Sequence, residues 1–206
     1  TKFGLVDTRG DIYYRGAIST KKHKSVDKFI DALYEAILPA IESVGGVSEI
    51  KGIGVGAPHG NYYKGTVEYA PNLPWKGVIP LAEMIAERFS LSASLTNDAN
   101  AAAVGEMMYG AARGMKDFIM ITLGTGVGSG IVANGQLIYG HDGFAGELGH
   151  TIIIPDGRLH WGTGAHGSLE AYASATGIRL TALELLEKHH NKTSLLRNVP
   201  VEELES

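Results

Sequence analysis

Apolar residues recur at Val26, Phe29, Ile30, Leu33, Ile37, Leu38 and Ile41, the spacing of one helix face, and predict a helix through this stretch. Ser25 stands where an N-cap belongs, Gly45 and Gly46 supply a stop, and Pro39 predicts a bend in the last turn. Ahead of it, residues 1–7 read as a strand, and the turn 7–11 leads into a second strand through Tyr13 and Ile18, so a hairpin opens the chain. Residues 50–56 predict a short buried strand ending in glycines. The long polar segment 57–75 reads as a binding loop. A helix at 81–89, a strand at 93–96 and a helix at 99–112 follow.

After Gly114 the pattern changes. Segments 118–123, 130–133 and 136–139 predict three strands joined by glycine turns, the second turn being Asn134-Gly135. Segment 140–149 reads as a loop, 151–154 as a strand, and the stretches near 168–176 and 179–189 as helices. The order is α/β with mixed strand direction. A domain boundary is expected inside Gly110 to Gly114, giving an N-terminal domain of residues 1–112 and a second of residues 113–206.

Composition narrows the function classes. With 44% hydrophobic and 19% charged residues, the 206-residue chain excludes disorder and fits a folded protein with a sizeable core. Its net charge of -4, without a basic stripe, argues against nucleic acid as a partner, and no apolar run approaches a membrane span. A cytoplasmic location is expected. Cysteine is absent, which excludes disulfides, thiolate nucleophiles and cysteine-bound zinc. The 28 glycines cluster beside apolar strands, and clusters of that kind shape sites.

Several residues carry candidate chemistry. The segment Leu123-Gly124-Thr125-Gly126-Val127-Gly128 follows an apolar strand and turns back into another; its N–H groups can cradle phosphate oxygens, and it also reads as an ordinary glycine hairpin. Gly162 to Gly167 fits G-x-G-x-x-G, but no strand runs into it, so a dinucleotide reading is rejected. Asn97-Asp98 opens a helix, where either side chain caps. A carboxylate at the carboxyl end of an α/β strand is also placed to accept a hydroxyl proton. Glu147 and His150 lie three residues apart among glycines, which argue for a loop, and a single E-x-x-H is weak support for metal. His150, His160 and His166 together could hold zinc, but with no other ligand evident they read as scattered surface histidines, and Glu170 reads as a residue favouring its own helix start through the dipole.

Taken together, Thr96-Asn97-Asp98-Ala99-Asn100-Ala101-Ala102, the glycine turn, Gly146-Glu147-Leu148-Gly149-His150 and Gly167-Ser168-Leu169-Glu170-Ala171-Tyr172 resemble, in this order, the ROK family of sugar kinases and repressors, its glucokinases most of all. Ala70-Pro71-Asn72-Leu73-Pro74-Trp75 also matches. The resemblance implies an actin-like, ribonuclease-H-like two-domain kinase fold, incomplete in this chain. It implies transfer of the γ-phosphate of ATP, with Mg2+, to the 6-hydroxyl of a hexose. Asp98 is then the general base; Asn72, Asn97, Glu147, His150 and Glu170 face the sugar; Gly124, Thr125, Gly126 and Gly128 form a phosphate loop; and a homodimer is expected. The family's Asp-x-Gly-Gly-Thr phosphate loop and the part that holds adenosine are expected to be missing. The family's structural zinc uses the histidine matching His150 and three cysteines, whose positions here are Trp161, Thr163 and Ser168, so that zinc is expected to be absent. A catalytically silent sugar-binding or sugar-sensing protein is the alternative.

Overall fold

Strands β1 (Lys2–Val6) and β2 (Ile12–Ala17) form the expected antiparallel hairpin. Its turn is closed by Asp7, whose Oδ1 accepts from the backbone N–H groups of Arg9 at 2.9 Å and Asp11 at 3.0 Å, the local bonding that suits aspartate to turns. Helix α1 (Val26–Ser43) follows, with Ser25 Oγ accepting from Lys28 N–H, and it runs on through Pro39 to Ser43. In the computed structural model residues 1–200 and Leu204 are described; residues 201–203, 205 and 206, the end of the expected second domain, lie outside the described residues.

Strand β3 (Ile53–Ala57) pairs in parallel with a later strand, β7 (Ala93–Asn97), from Ile53 opposite Ala93 to Ala57 opposite Asn97. The expected loop between 57 and 75 is in part a small sheet. Here β4 (Gly60–Asn61), β5 (Thr66–Glu68) and β6 (Val78–Ile79) pair antiparallel in that order, and helix α2 (Leu81–Phe89) follows. Asn61 fixes this correction: fully buried, it accepts the N–H groups of Tyr63 and Lys64 on Oδ1 and donates from Nδ2 to the carbonyl of Asp142 at 2.9 Å. One apolar cluster unites these elements, with Phe29, Ile30 and Ile41 of α1, Val67, Trp75, Ile85, Phe89 and Leu95 at its centre. The Trp75 ring lies 4.9 Å from Phe29, and its Nε1–H donates to the His23 carbonyl, so the indole is buried without an orphaned donor.

Helix α3 (Asp98–Tyr109) leads to β8 (Phe118–Leu123), β9 (Val127–Ala133) and β10 (Gln136–Leu137), an antiparallel meander with β9 in the middle. Asn134 and Gly135 both take positive φ, 52° and 74°, as the tight hairpin turn requires. Strand β9 begins three residues earlier than the sequence predicts, because Gly128 and Gly130 weaken the strand signal while being needed for packing. A Cβ at Gly130 would sit 2.6 Å from Ala103 Cβ, and one at Gly128 would sit 2.9 Å from Ala99 Cβ. Alanine on glycine lets α3 lie close on β8 and β9 while also packing on β3 and β7.

Two further expectations are corrected. Residues 151–154 form no strand: only Ile152 bridges, to Ser168, and three consecutive isoleucines stay exposed because no strand among the described residues takes up a ladder with them. The helix expected at 168–176 is divided into α4 (Glu170–Ala173) and α5 (Ala175–Lys188), since Ser174 leaves the helical conformation and caps α5 by accepting from Gly177 N–H.

Candidate functional site

The site is organised around the start of β9. Val127 is buried, and its N–H donates to Glu170 Oε2 at 2.6 Å while its carbonyl lies beneath Gly149, too close for a Cβ. Two residues along, Ser129 Oγ donates to the carbonyl of Gly146 and accepts the N–H of Leu148. The two alternate positions of one strand thus hold both acidic segments singled out in the sequence. Between them, Leu148–His150 forms a single 3-10 turn rather than the expected loop, which places Glu147 Oε2 3.8 Å from His150 Nε2, both side chains about half exposed.

Asn97 and Asp98 immediately precede Ala99, which packs on Gly128 of the same strand. They close β7 and open α3, whose first turn rests on Gly128 through Ala99. Capping is shared: the Ala99 N–H donates to Asn97 Oδ1 at 2.8 Å and to Asp98 Oδ1 at 2.9 Å. Asp98 is exposed, and its second oxygen takes no partner among the described residues. Asn72 is exposed on the loop before Trp75 and makes no hydrogen bond among the described residues, so nothing ties it to the cluster.

The glycine turn lies against Glu170. Gly124 N–H bonds to the Gly126 carbonyl, and the Gly124 carbonyl accepts from Ala175 N–H at the start of α5. The N–H groups of Thr125 and Gly126 take no acceptor among the described residues, leaving two backbone donors at a tight exposed turn, an arrangement suited to an anion.

Two readings of single residues are overturned. Glu170 does not serve its own helix: its carboxylate turns away to Val127 and to His160, whose Nε2 is 2.7 Å from Oε1. His160 is not a surface histidine but is 4% exposed, because the loop 156–167 folds back on itself through His160 N–H to the Ala165 carbonyl and Gly164 N–H to the His160 carbonyl. His166 is exposed as expected, with Nδ1 2.9 Å from the Gly157 carbonyl. Arg158 is a further residue that spacing could not single out. Its guanidinium bonds the carbonyls of Ala171 and Gly177, Thr181 Oγ1 and Glu184, and thereby clips the loop to α4 and α5.

The family's zinc does not fit these residues. Trp161 is exposed, Thr163 bonds His160, and Ser168 is fully buried with its Oγ accepting from Ala171 N–H, so the donor set that a tetrahedral zinc needs is not offered. Among the described residues no group of three or more acidic or histidine side chains is placed to hold a metal ion.

Carboxylates and imidazoles gathered beside a turn of free N–H groups have the chemistry to bond hydroxyls next to an anion, on a mixed α/β scaffold. The chain belongs to the ROK family, whose family model matches residues 1–199. A glucokinase from Halalkalibacterium halodurans is 39% identical over 193 residues, 91% of this chain and 57% of that protein. A xylose repressor from Caldicellulosiruptor bescii is 34% identical over 182 residues, 87% of this chain and 45% of that protein. Among solved structures, a ROK family glucokinase from Streptomyces griseus in complex with glucose and AMPPNP superposes with a TM-score of 0.71 at 35% identity, covering 91% of this chain and 58% of that one. The fold is therefore the actin-like sugar-kinase fold, and the chain spans a little over half the length of the glucokinases it matches. No helix among the described residues is long and apolar enough to cross a membrane.

Proposed function

We propose that the protein transfers the γ-phosphoryl group of ATP, presented as its magnesium complex, to the 6-hydroxyl of a hexose. The convergence on Val127 of the Glu170 carboxylate and the Glu147–His150 turn, next to Gly128 on which Ala99 of α3 packs, supports this reading. Asp98 accepts the proton of the 6-hydroxyl as its oxygen attacks the γ-phosphorus and ADP leaves. Asn97, Glu147, His150 and Glu170 take the remaining sugar hydroxyls, and Asn72, which has no bond to the cluster, is assigned to the sugar on the family motif of its loop alone. The turn Gly124 to Gly128 receives phosphate oxygens through the Thr125 and Gly126 N–H groups. Phosphoryl transfer draws its acceleration from positioning and charge stabilisation, which such a set supplies. The division at residues 112 and 113, cytoplasmic location and a homodimer belong to the same reading.

A second reading is favoured by the xylose repressor, which matches nearly as much of the chain as the glucokinase does. In it the same cluster binds a sugar without turning it over. Asp98→Asn in the full-length protein separates the two: the amide keeps the side-chain shape but cannot take the proton. A fall in kcat of about a hundredfold to ten-thousandfold is expected, the usual value of a general base, with little change in hexose affinity by calorimetry. An Asp98→Asn protein with undiminished turnover removes the base from the mechanism. Hexose binding with no turnover in the full-length protein favours the second reading.

A further inference from the structure

The His160 side chain is 5% exposed, and its two nitrogens are used unequally. Nδ1 accepts the Thr163 backbone N–H at 3.1 Å and lies 2.9 Å from Thr163 Oγ1. An acceptor nitrogen carries no proton, so the neutral ring is protonated at Nε2. That buried N–H faces Glu170 Oε1 at 2.7 Å without the alignment of a hydrogen bond, and no other group among the described residues takes it. The neighbours on either side do not compete. The His150 ring is 6.1 Å away and edge-on with its own Nε2 towards Glu147, and the Trp161 ring, 5.8 Å away, is tilted over the imidazole. Glu170 in turn has its other oxygen on Val127 N–H, and Gly126 makes room for it, since a Cβ there would meet Oε2 at 2.5 Å.

We propose that His160 is a positioning residue that holds the Glu170 carboxylate against the turn between β8 and β9, so that Glu170 and the turn keep one fixed relation. Packing alone does not explain an imidazole here, because an apolar side chain would fill the volume without burying an N–H that lacks an aligned acceptor. A carboxylate oxygen has two acceptor directions, so Glu170, 17% exposed, keeps capacity for ligand hydroxyls while both oxygens are restrained. If the function proposed above holds, the linkage joins the sugar pocket to the phosphate turn; the positioning itself does not depend on that function.

A pair of variants separates positioning from packing. In His160→Gln the side-chain amide reaches the place of Nε2 and donates to Glu170. In His160→Asn it stops at the place of Nδ1, serving Thr163 but not Glu170. Two readouts apply: the hydrogen-exchange rate of the Val127 amide by NMR, and affinity for a panel of hexoses by calorimetry. We expect His160→Asn to speed Val127 exchange about tenfold or more and to weaken hexose binding about tenfold, with His160→Gln within about threefold of the parent in both. Equal behaviour of the two variants at Val127, whether both normal or both impaired, overturns the proposal. If His160→Asn does not fold, Glu170→Gln tests the link from the other side, and unchanged Val127 exchange there overturns it as well. A parent that binds no hexose defeats the proposed function, while the Val127 readout still decides the positioning.

Discussion

Residues up to Leu95 and those beyond it are built by different means. The first part buries large side chains in one apolar cluster, from Phe29 and Ile41 through Trp75 to Leu95. In the second, the buried apolar residues are chiefly Ala99, Ala103, Ala112, Val127, Val132 and Ala171, while Ile119, Ile121 and Ile152 to Ile154 face outward. Order there comes from hydrogen bonds with specific partners: Ser129 to Gly146, Glu170 to Val127, and Arg158 to two carbonyls and two side chains. The two regimes have different tolerances. Apolar burial is non-directional and survives rearrangement, whereas a bonded loop has one geometry. Most of the candidate site residues lie in the second part, and Asn97 and Asp98 lie where the two parts meet.

Leu95→Ala deletes one of the most buried side chains of the first part and is expected to cost about 2 to 5 kcal/mol of stability by urea denaturation. A loss below about 1 kcal/mol would mean that the cluster is not the main source of order. Gly130→Ala puts a methyl group against Ala103 and the Ala99 carbonyl, so the seam must open; about 1 to 3 kcal/mol of destabilisation is expected, and on the proposed function hexose affinity falls as α3 shifts. Gly105→Ala is the counterpart on the same helix, because a Cβ there meets nothing within 4 Å. Better helix propensity should raise stability by about 0.5 to 1 kcal/mol, and a loss instead would show that the outer side of α3 is also packed.

What could be read from the sequence follows the same division. Helix α1 with its Ser25 cap, helix α2 and strand β7 all come from the apolar part, where a side-chain period reports directly on burial. The small sheet inside 57–79 escaped because strands of two or three residues carry no period, and what fixes them is Asn61 reaching Asp142, 81 residues away. Segment 151–154 had the right residue types and no strand to pair with. In the second part the motifs singled out Glu147, His150 and Glu170, yet gave no sign that Val127 and Ser129 bond these segments. His160 carried no local signal either: its burial depends on the closure of the loop 156–167 over it, and the G-x-G-x-x-G spacing in that loop pointed to a different chemistry. Helix α3 shows the limit most clearly, since a run of alanines reads as a helix but not as a helix flanked by glycines on two sheets.

That seam of alanine on glycine also has a genetic side. Every change in the third base of a glycine codon is silent, and every change in the first two bases brings in a residue with a Cβ or a stop. Gly128 and Gly130, where a Cβ would lie under 3 Å from an alanine methyl, therefore have no conservative neighbour within one mutation. A buried leucine such as Leu95 has several, in isoleucine, valine, methionine and phenylalanine. The apolar cluster can drift by small steps through a connected set of sequences, while the strand that carries the site is locked, and change at these positions must await a compensating change on the face of α3.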